Sequence, residues 1–161
     1  MEKTIIAKQV LEKLKTDLMR TIKQRDEAQQ EANSHVGAME SRYDTFKEEA
    51  QYLVSGCNKQ IEKLNKDIDI LTSFIMNSPA LKKKMETVEA GTLITVIKNN
   101  MEEYFLLLPV GGGSEIITDK KTIRIITLLT PLAKALLHKG CETITLSVDD
   151  DSHTITIINI E

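Results

Sequence analysis

From Phe46 to Ile75 the apolar residues fall at 46, 50, 53, 57, 61, 64, 68, 71 and 75. Steps of three and four residues place them along one side of a helix, as a seam for a partner helix. The preceding stretch supplies that partner. Val10, Leu11, Leu14, Leu18 and Ile22 make an apolar stripe, which thins to Ala28, Ala32, Val36 and Met39. Alanines let two backbones approach but bury little area, so the base of the pair should be firmer than its far half. Proline is absent from 10–74, which suits long helices. Two segments are candidates for the reversal, Asn33–Gly37 and Ser41–Thr45. Near-equal arms favour the second, and Thr45 with Glu48 has capping-box spacing. Each arm then extends on the order of 45 Å at about 1.5 Å per residue.

Asn77-Ser78-Pro79 stops the second helix. Leu81–Glu89, with Lys82-Lys83-Lys84, reads as a connector or hinge with a solvated face. Beyond it the hydrophobic period changes to two. Strands are expected at Thr92–Lys98, Glu102–Leu108, Thr122–Thr127, Glu142–Val148 and His153–Ile160. Asn99-Asn100 should turn the first into the second, and Asp149-Asp150-Asp151 should join the last two. The apolar end Leu106-Leu107-Leu108 predicts burial on both faces. Thr130 and Pro131 open a short helix, Leu132–His138, that Gly140 ends. The fold class is α+β: a long antiparallel coiled-coil helical hairpin over 1–79 with its tip near 41–48, a linker over 80–90, and a small β-sheet domain with one short helix over 91–161.

Composition narrows the partners. The 161 residues carry a net charge of -3, and neither half is basic. A free nucleic-acid binder needs Lys and Arg against phosphates, so sequence-specific nucleic-acid binding is not expected. Cys57 and Cys141 are the only cysteines and read as free thiols of a reducing compartment. No apolar run approaches the roughly 20 residues that cross a membrane, and no signal peptide precedes Val10, so a cytoplasmic protein is expected.

The candidate chemistry is confined to the hairpin tip: Arg42, Tyr43, Asp44, Thr45, Phe46, Glu48 and Glu49. Two carboxylates there can share an Mg²⁺ with a partner's own acidic site. The same residues also read as a solvated helix end with one cap. Pro109-Val110-Gly111-Gly112-Gly113-Ser114 lacks the Lys-Ser/Thr ending of a phosphate loop and reads as a flexible loop. The histidines, His35, His138 and His153, are scattered, and the sequence holds no triad, zinc pattern or nucleotide fingerprint.

Two segments carry a family resemblance. Leu11-Glu12-Lys13-Leu14 is similar to the opening "LEKLK" of the bacterial transcript-cleavage factors of the Gre family. Thr130-Pro131-Leu132-Ala133-Lys134-Ala135-Leu136-Leu137 with Lys139-Gly140 is similar to that family's "SPLGRALLGK", and is the more specific match. The chain resembles a divergent member over nearly its full length, departing at Pro109–Gly113. The resemblance implies an FKBP-like second domain that docks on core RNA polymerase through Pro131, Leu132, Lys134 and Lys139. It implies a hairpin that enters the polymerase secondary channel, where tip acids help hold an Mg²⁺ near the nascent RNA end. No cofactor of its own is implied, and a monomer is expected. The family tip "GDLxENAEY" aligns with Asp44–Tyr52. Ala50, Tyr52 and Glu48 match, Phe46 replaces the leucine, Glu49 replaces the asparagine, and the aspartate position holds Thr45. Asp44 sits one residue early. The catalytic candidates are therefore Glu48 and Asp44.

Three functions follow from these readings. The first is a secondary-channel factor that modulates elongation, either stimulating cleavage of backtracked RNA or occluding the channel without cleavage. The second is a coiled-coil module for another protein partner. The third is a peptidyl-prolyl isomerase, which the shortage of aromatics in the second half (Tyr104 and Phe105) disfavours.

Overall fold

The computed structural model describes residues 2–34, 40–118, 121–148 and 151–161; at 32, 34, 40–47, 146–148 and 151–153 it describes the backbone alone. Two long helices come first, α1 (Glu2–Ser34) and α2 (Glu40–Asn77). Six strands and a short helix follow: β1 (Leu93–Lys98), β2 (Met101–Leu107), β3 (Glu115–Ile117), β4 (Thr122–Ile126), α3 (Pro131–Leu136), β5 (Thr143–Val148) and β6 (Asp151–Ile160). The chain divides into two compact units, Glu12–Asp69 and Met1–Leu11 with Ile70–Glu161.

Beyond the first turns of α1, which also bury Lys3, Ile6 and Val10, each long helix buries one residue in every seven among the described residues. On α1 these are Ala7, Leu14, Thr21 and Ala28, and on α2 Ala50, Cys57, Leu64 and Leu71. A strict seven-residue repeat is the signature of helices that supercoil on one another. It also corrects the seam. Leu53 is 54% exposed, and Val54 takes its place among the half-buried Val54, Ile61 and Ile68. Counting back from Leu71 in alternating steps of three and four reaches 54. The expected spacing required two successive steps of four, which drifts off a 3.5-residue seam. On α1, Thr21 is buried because its hydroxyl donates to the Asp17 carbonyl at 2.8 Å, so the polar atom is satisfied inside the helix.

The reversal does not fall at Ser41–Thr45. Those residues are helical within α2, so Thr45 is not a helix cap. The other candidate's His35-Val36-Gly37, and Met39 of the stripe, lie outside the described residues. Gly56 is also within α2, and a Cβ built there meets nothing within 4 Å. A helical glycine costs about 0.5–1 kcal/mol relative to alanine through backbone entropy. Gly56→Ala should therefore raise stability by about that amount, read as a higher urea midpoint of the helical circular dichroism signal.

The sheet order is β3-β4-β2-β1-β6-β5, with β2 and β4 parallel and every other pair antiparallel. Asn99 and Asn100, both at positive φ (51° and 61°), make the two-residue turn between β1 and β2. That pair of left-handed residues matches the twist of the flanking strands. One face of the sheet carries Ile94, Val96, Phe105, Leu107, Ile126, Ile155, Ile157 and Ile160, packed with Val88 and with Ala133 and Leu136 of α3. A β-bulge makes this possible. Ile94 faces Ile160 and Val96 faces Ile157, so one extra residue, Ile158, is inserted in β6 and is partly exposed. Without the bulge, Ile160 would fall on the opposite face from Ile157.

The other face presents Leu93, Leu106, Ile123 and Ile125, all buried. The ends of the long helices that share this unit bury Ile6, Ala7, Val10 and Leu71 completely or nearly so. Two covered faces explain the uninterrupted Leu106-Leu107-Leu108 run. The 80–90 segment belongs to the same packing and is not a hinge. Ala80, Leu81 and Val88 are buried, and Val88 exchanges backbone hydrogen bonds with Lys139 and His138, each 2.9 Å. Lys3 of α1 is buried and donates to the carbonyls of Ala80 and Lys83.

The glycine loop also differs from expectation. Gly111 (φ 81°) lies against Val10, and a Cβ at Gly111 would sit 2.6 Å from the Val10 Cγ1 methyl. Gly113 donates to the Ile125 carbonyl, and Ile125 donates to that of Ser114. The loop leads directly into β3, a three-residue strand too short to show a period-two signal. Asp149 and Asp150 of the expected acidic turn lie outside the described residues, and Asp151 begins β6.

Candidate functional site

Helix α3 is built as its sequence requires. Thr130 is extended, its Oγ1 accepts from the Ala133 amide at 3.2 Å, and Pro131 occupies the first turn. The helix buries Ala133 and Leu136 and leaves Pro131, Lys134, His138 and Lys139 exposed. Leu132 is half-buried against the core. The helix stops at Leu136, earlier than expected, and His138 (φ 62°) takes the left-handed backbone in place of Gly140. Lys139 pairs with Glu142 at 3.5 Å. Just before α3, Leu128 is 40% and Leu129 83% exposed. Sequence reasoning missed this apolar pair because it lies between the expected strand and helix, where type alone does not tell burial from exposure. Leu128, Leu129, Pro131 and Lys134 are thus exposed positions close in sequence at the start of α3.

The expected tip residues Arg42, Tyr43, Asp44, Thr45 and Phe46 lie in the first two turns of α2, where the backbone alone is described. Glu48 and Glu49 follow them and are exposed. Continuous helix changes the relation between Asp44 and Glu48. Four residues apart, they lie about 40° apart around the axis and one turn apart along it. Asp44 and Thr45 thus flank Glu48's row from opposite sides. Beyond them, Tyr52 is 79% exposed.

A second polar region lies on the sheet, a cleft of about 180 Å³ lined by Glu102, Glu103, Tyr104, Thr122 and Arg124. Arg124 is held between Glu103 (3.3 Å) and Glu115 (3.0 Å). Tyr104 donates to Glu102 at 2.6 Å, which raises the phenol's pKa above its ordinary value. Lys121 lies 5.1 Å from the Tyr104 ring centroid and 3.4 Å from Glu2. The Arg124 guanidinium is neutralised by carboxylates, and the Tyr104 hydroxyl is held by Glu102. Among the described residues no three His, Cys, Asp or Glu side chains converge as a metal site.

Lys3 carries the other perturbed group. Burial lowers its pKa below the ordinary lysine value of 10.5, with the charge of Glu161 opposing. Between the lowered folded value and 10.5, the unfolded chain binds more protons, so this group makes stability rise with pH in that window. Tyr104, with its raised value, pulls the other way. Lys3→Met should therefore remove the rising component. It should also cost about 1–3 kcal/mol at neutral pH by leaving the carbonyl of the buried Ala80 without its donor. Urea unfolding of wild type and variant at neutral and alkaline pH reads both effects.

No family model matches the chain, and no curated protein matches it. Among solved structures, it is similar to GreA factor homolog 1 (Gfh1) of Thermus thermophilus at 12% identity. That match covers 94% of each chain, with a TM-score of 0.36. It is also similar to a structure of the transcription factor Gfh1 at 18% identity, over 94% of this chain and 92% of that one, with a TM-score of 0.37.

Proposed function

We propose that this protein is a Gre-like factor that binds core RNA polymerase at its secondary channel, with an FKBP-like sheet domain as its dock. The observation that carries the reading is the Thr130–Lys139 segment. It matches the family's "SPLGRALLGK" in sequence, and its capped helix ends on a left-handed residue, His138, where that family string has glycine. A glycine at that place is what a positive φ favours. Around this segment Leu128, Leu129, Pro131, Lys134 and Lys139 offer the polymerase an apolar contact with cationic neighbours. The two long helices with a heptad seam supply an arm suited to a channel.

Asp44 and Glu48 are the arm's candidate Mg²⁺ ligands. Their placement one turn apart fits two hard oxygen donors completing a metal shell begun by the polymerase's own acids. Such a metal supplies Lewis-acid activation of water for phosphodiester hydrolysis. The chain's contribution is to bring the carboxylates to the nascent RNA end. Thr45 at the family's aspartate position favours a second reading, in which the arm occludes the channel without cleavage.

The test is binding to core polymerase holding a backtracked transcript, with cleavage read in the same tube. Binding abolished by Leu129→Asp together with Lys134→Glu is the expected result. Absence of binding by the wild-type protein would assign the helical pair to another partner.

A further inference from the structure

Gly56 has no packing reason to be glycine. It lies midway along α2, is exposed, and a Cβ built there meets nothing within 4 Å among the described residues. Its backbone is ordinary helix, and positive φ is confined to other glycines. It nevertheless costs the helix stability. A glycine also serves where another molecule must come close to the backbone.

The preceding turn shows what the missing side chain uncovers. A helical side chain leans toward the N-terminus and covers the surface over the turn before it. At Gly56 that turn carries Tyr52 and Leu53, four and three residues back, the spacings at which helix side chains are neighbours. Tyr52 is 79% and Leu53 54% exposed, because the seam takes Val54 and Cys57. Tyr52, Leu53 and Gly56 therefore bound a shallow notch with an aromatic side, an aliphatic side and a backbone floor. Glu48 and Glu49 border it toward the start of α2, and Lys59 and Gln60 toward its end, all exposed.

We propose that this notch takes a nucleobase of single-stranded RNA, stacked on the Tyr52 ring with one edge over Gly56. The contact presupposes the polymerase binding proposed for the arm and adds the transcript to it. The chemistry of the notch selects the occupant. An apolar protein side chain would set its whole surface against a rim of acids, amide and amine. A base instead has apolar faces for Tyr52 and Leu53 and polar edges for the rim. Stacking on tyrosine accepts any base, as a factor acting on many transcripts requires. Lys59 puts a cation on the side away from the acids, where the backbone phosphate can lie. Tyr52 is one turn from Glu48, about 6 Å along the axis. The base it holds thus belongs to the RNA end that the tip acids approach, and Tyr52 positions that end.

The test uses 2-aminopurine, a fluorescent base that is quenched on stacking, in the extruded segment of a backtracked transcript on core polymerase. Wild-type protein should lower its fluorescence, and Tyr52→Phe should do the same because the ring is kept. Tyr52→Ala should abolish the quenching. It should also weaken binding to the backtracked complex by at least about fivefold, while binding to a complex that is not backtracked stays unchanged. Gly56→Gln covers the notch with a good helix former. It should raise the urea midpoint yet abolish the quenching, a combination that a purely structural role would not give. Wild-type protein that binds polymerase without quenching at any extruded position overturns the proposal and leaves the polymerase reading standing. So does quenching by Tyr52→Ala or Gly56→Gln equal to that by wild type. Wild-type protein that does not bind polymerase overturns both.

Discussion

The Asp44→Ala, Glu48→Ala double variant is expected to lose at least about 10²-fold in cleavage of backtracked RNA while still binding core polymerase. Activation of water by a metal depends on ligands that hold the ion where charge develops. On the proposed reading, removing both carboxylates would remove the arm's contribution to that ion. Glu48→Ala alone should cost nearly as much, because a lone remaining ligand no longer completes the shell. The helical backbone over 40–48 makes Asp44 the natural second ligand. Thr45→Asp is the informative companion, since it restores an acid three residues before Glu48. If the wild type binds without cleaving and Thr45→Asp gains cleavage, the protein is an occluding factor with a disabled tip. Full stimulation by the double variant would sink the carboxylate mechanism altogether.

Gly111→Ala should destabilise the sheet unit by about 2–5 kcal/mol, enough to unfold much of a small domain. Two effects add. The left-handed backbone at φ 81° costs an alanine about 1–2 kcal/mol. The new Cβ would also lie 2.6 Å from a methyl of Val10, which is fully buried. A valine in a helix is stiff at χ1, so the contact is relieved only by moving backbone, at about 1–3 kcal/mol. Gly113→Ala separates the two effects. Gly113 has nearly the same φ, 82°, but a Cβ there meets nothing within 4 Å. It should cost the backbone component alone. Chemical denaturation of both variants checks the difference; equal losses would mean that contact with Val10 contributes nothing.

Much of the architecture was legible in the residues. Period-two alternation located β1, β2, β4, β5 and β6, and the Asn99-Asn100 turn followed from residue type. Thr130 and Pro131 marked the start of α3 because capping chemistry is local. What escaped was set by long-range contact. Leu53 and Val54 are both apolar, and only the register against a partner selects Val54. Ile155, Ile157 and Ile160 share a face only because Ile158 is bulged against β1. β3 exists because the glycine loop returns the chain beside β4.

The proposed tip acids could be named by residue type, but not their spacing along a helix. Asp44 and Glu48 were visible as acids, but their one-turn relation depends on α2 starting at Glu40. Leu128 and Leu129 fell between the expected strand and helix and were given no role, and only the folded chain shows them exposed. The sequence by itself determined five of the strands, the two long helices and the cap of α3, because periodicity, turn chemistry and capping act within a few residues. The tertiary structure alone decided the seam's phase and the clamping of 80–90 and Gly111 into the core. Each of those depends on which distant surface competes for the same side chain or backbone group.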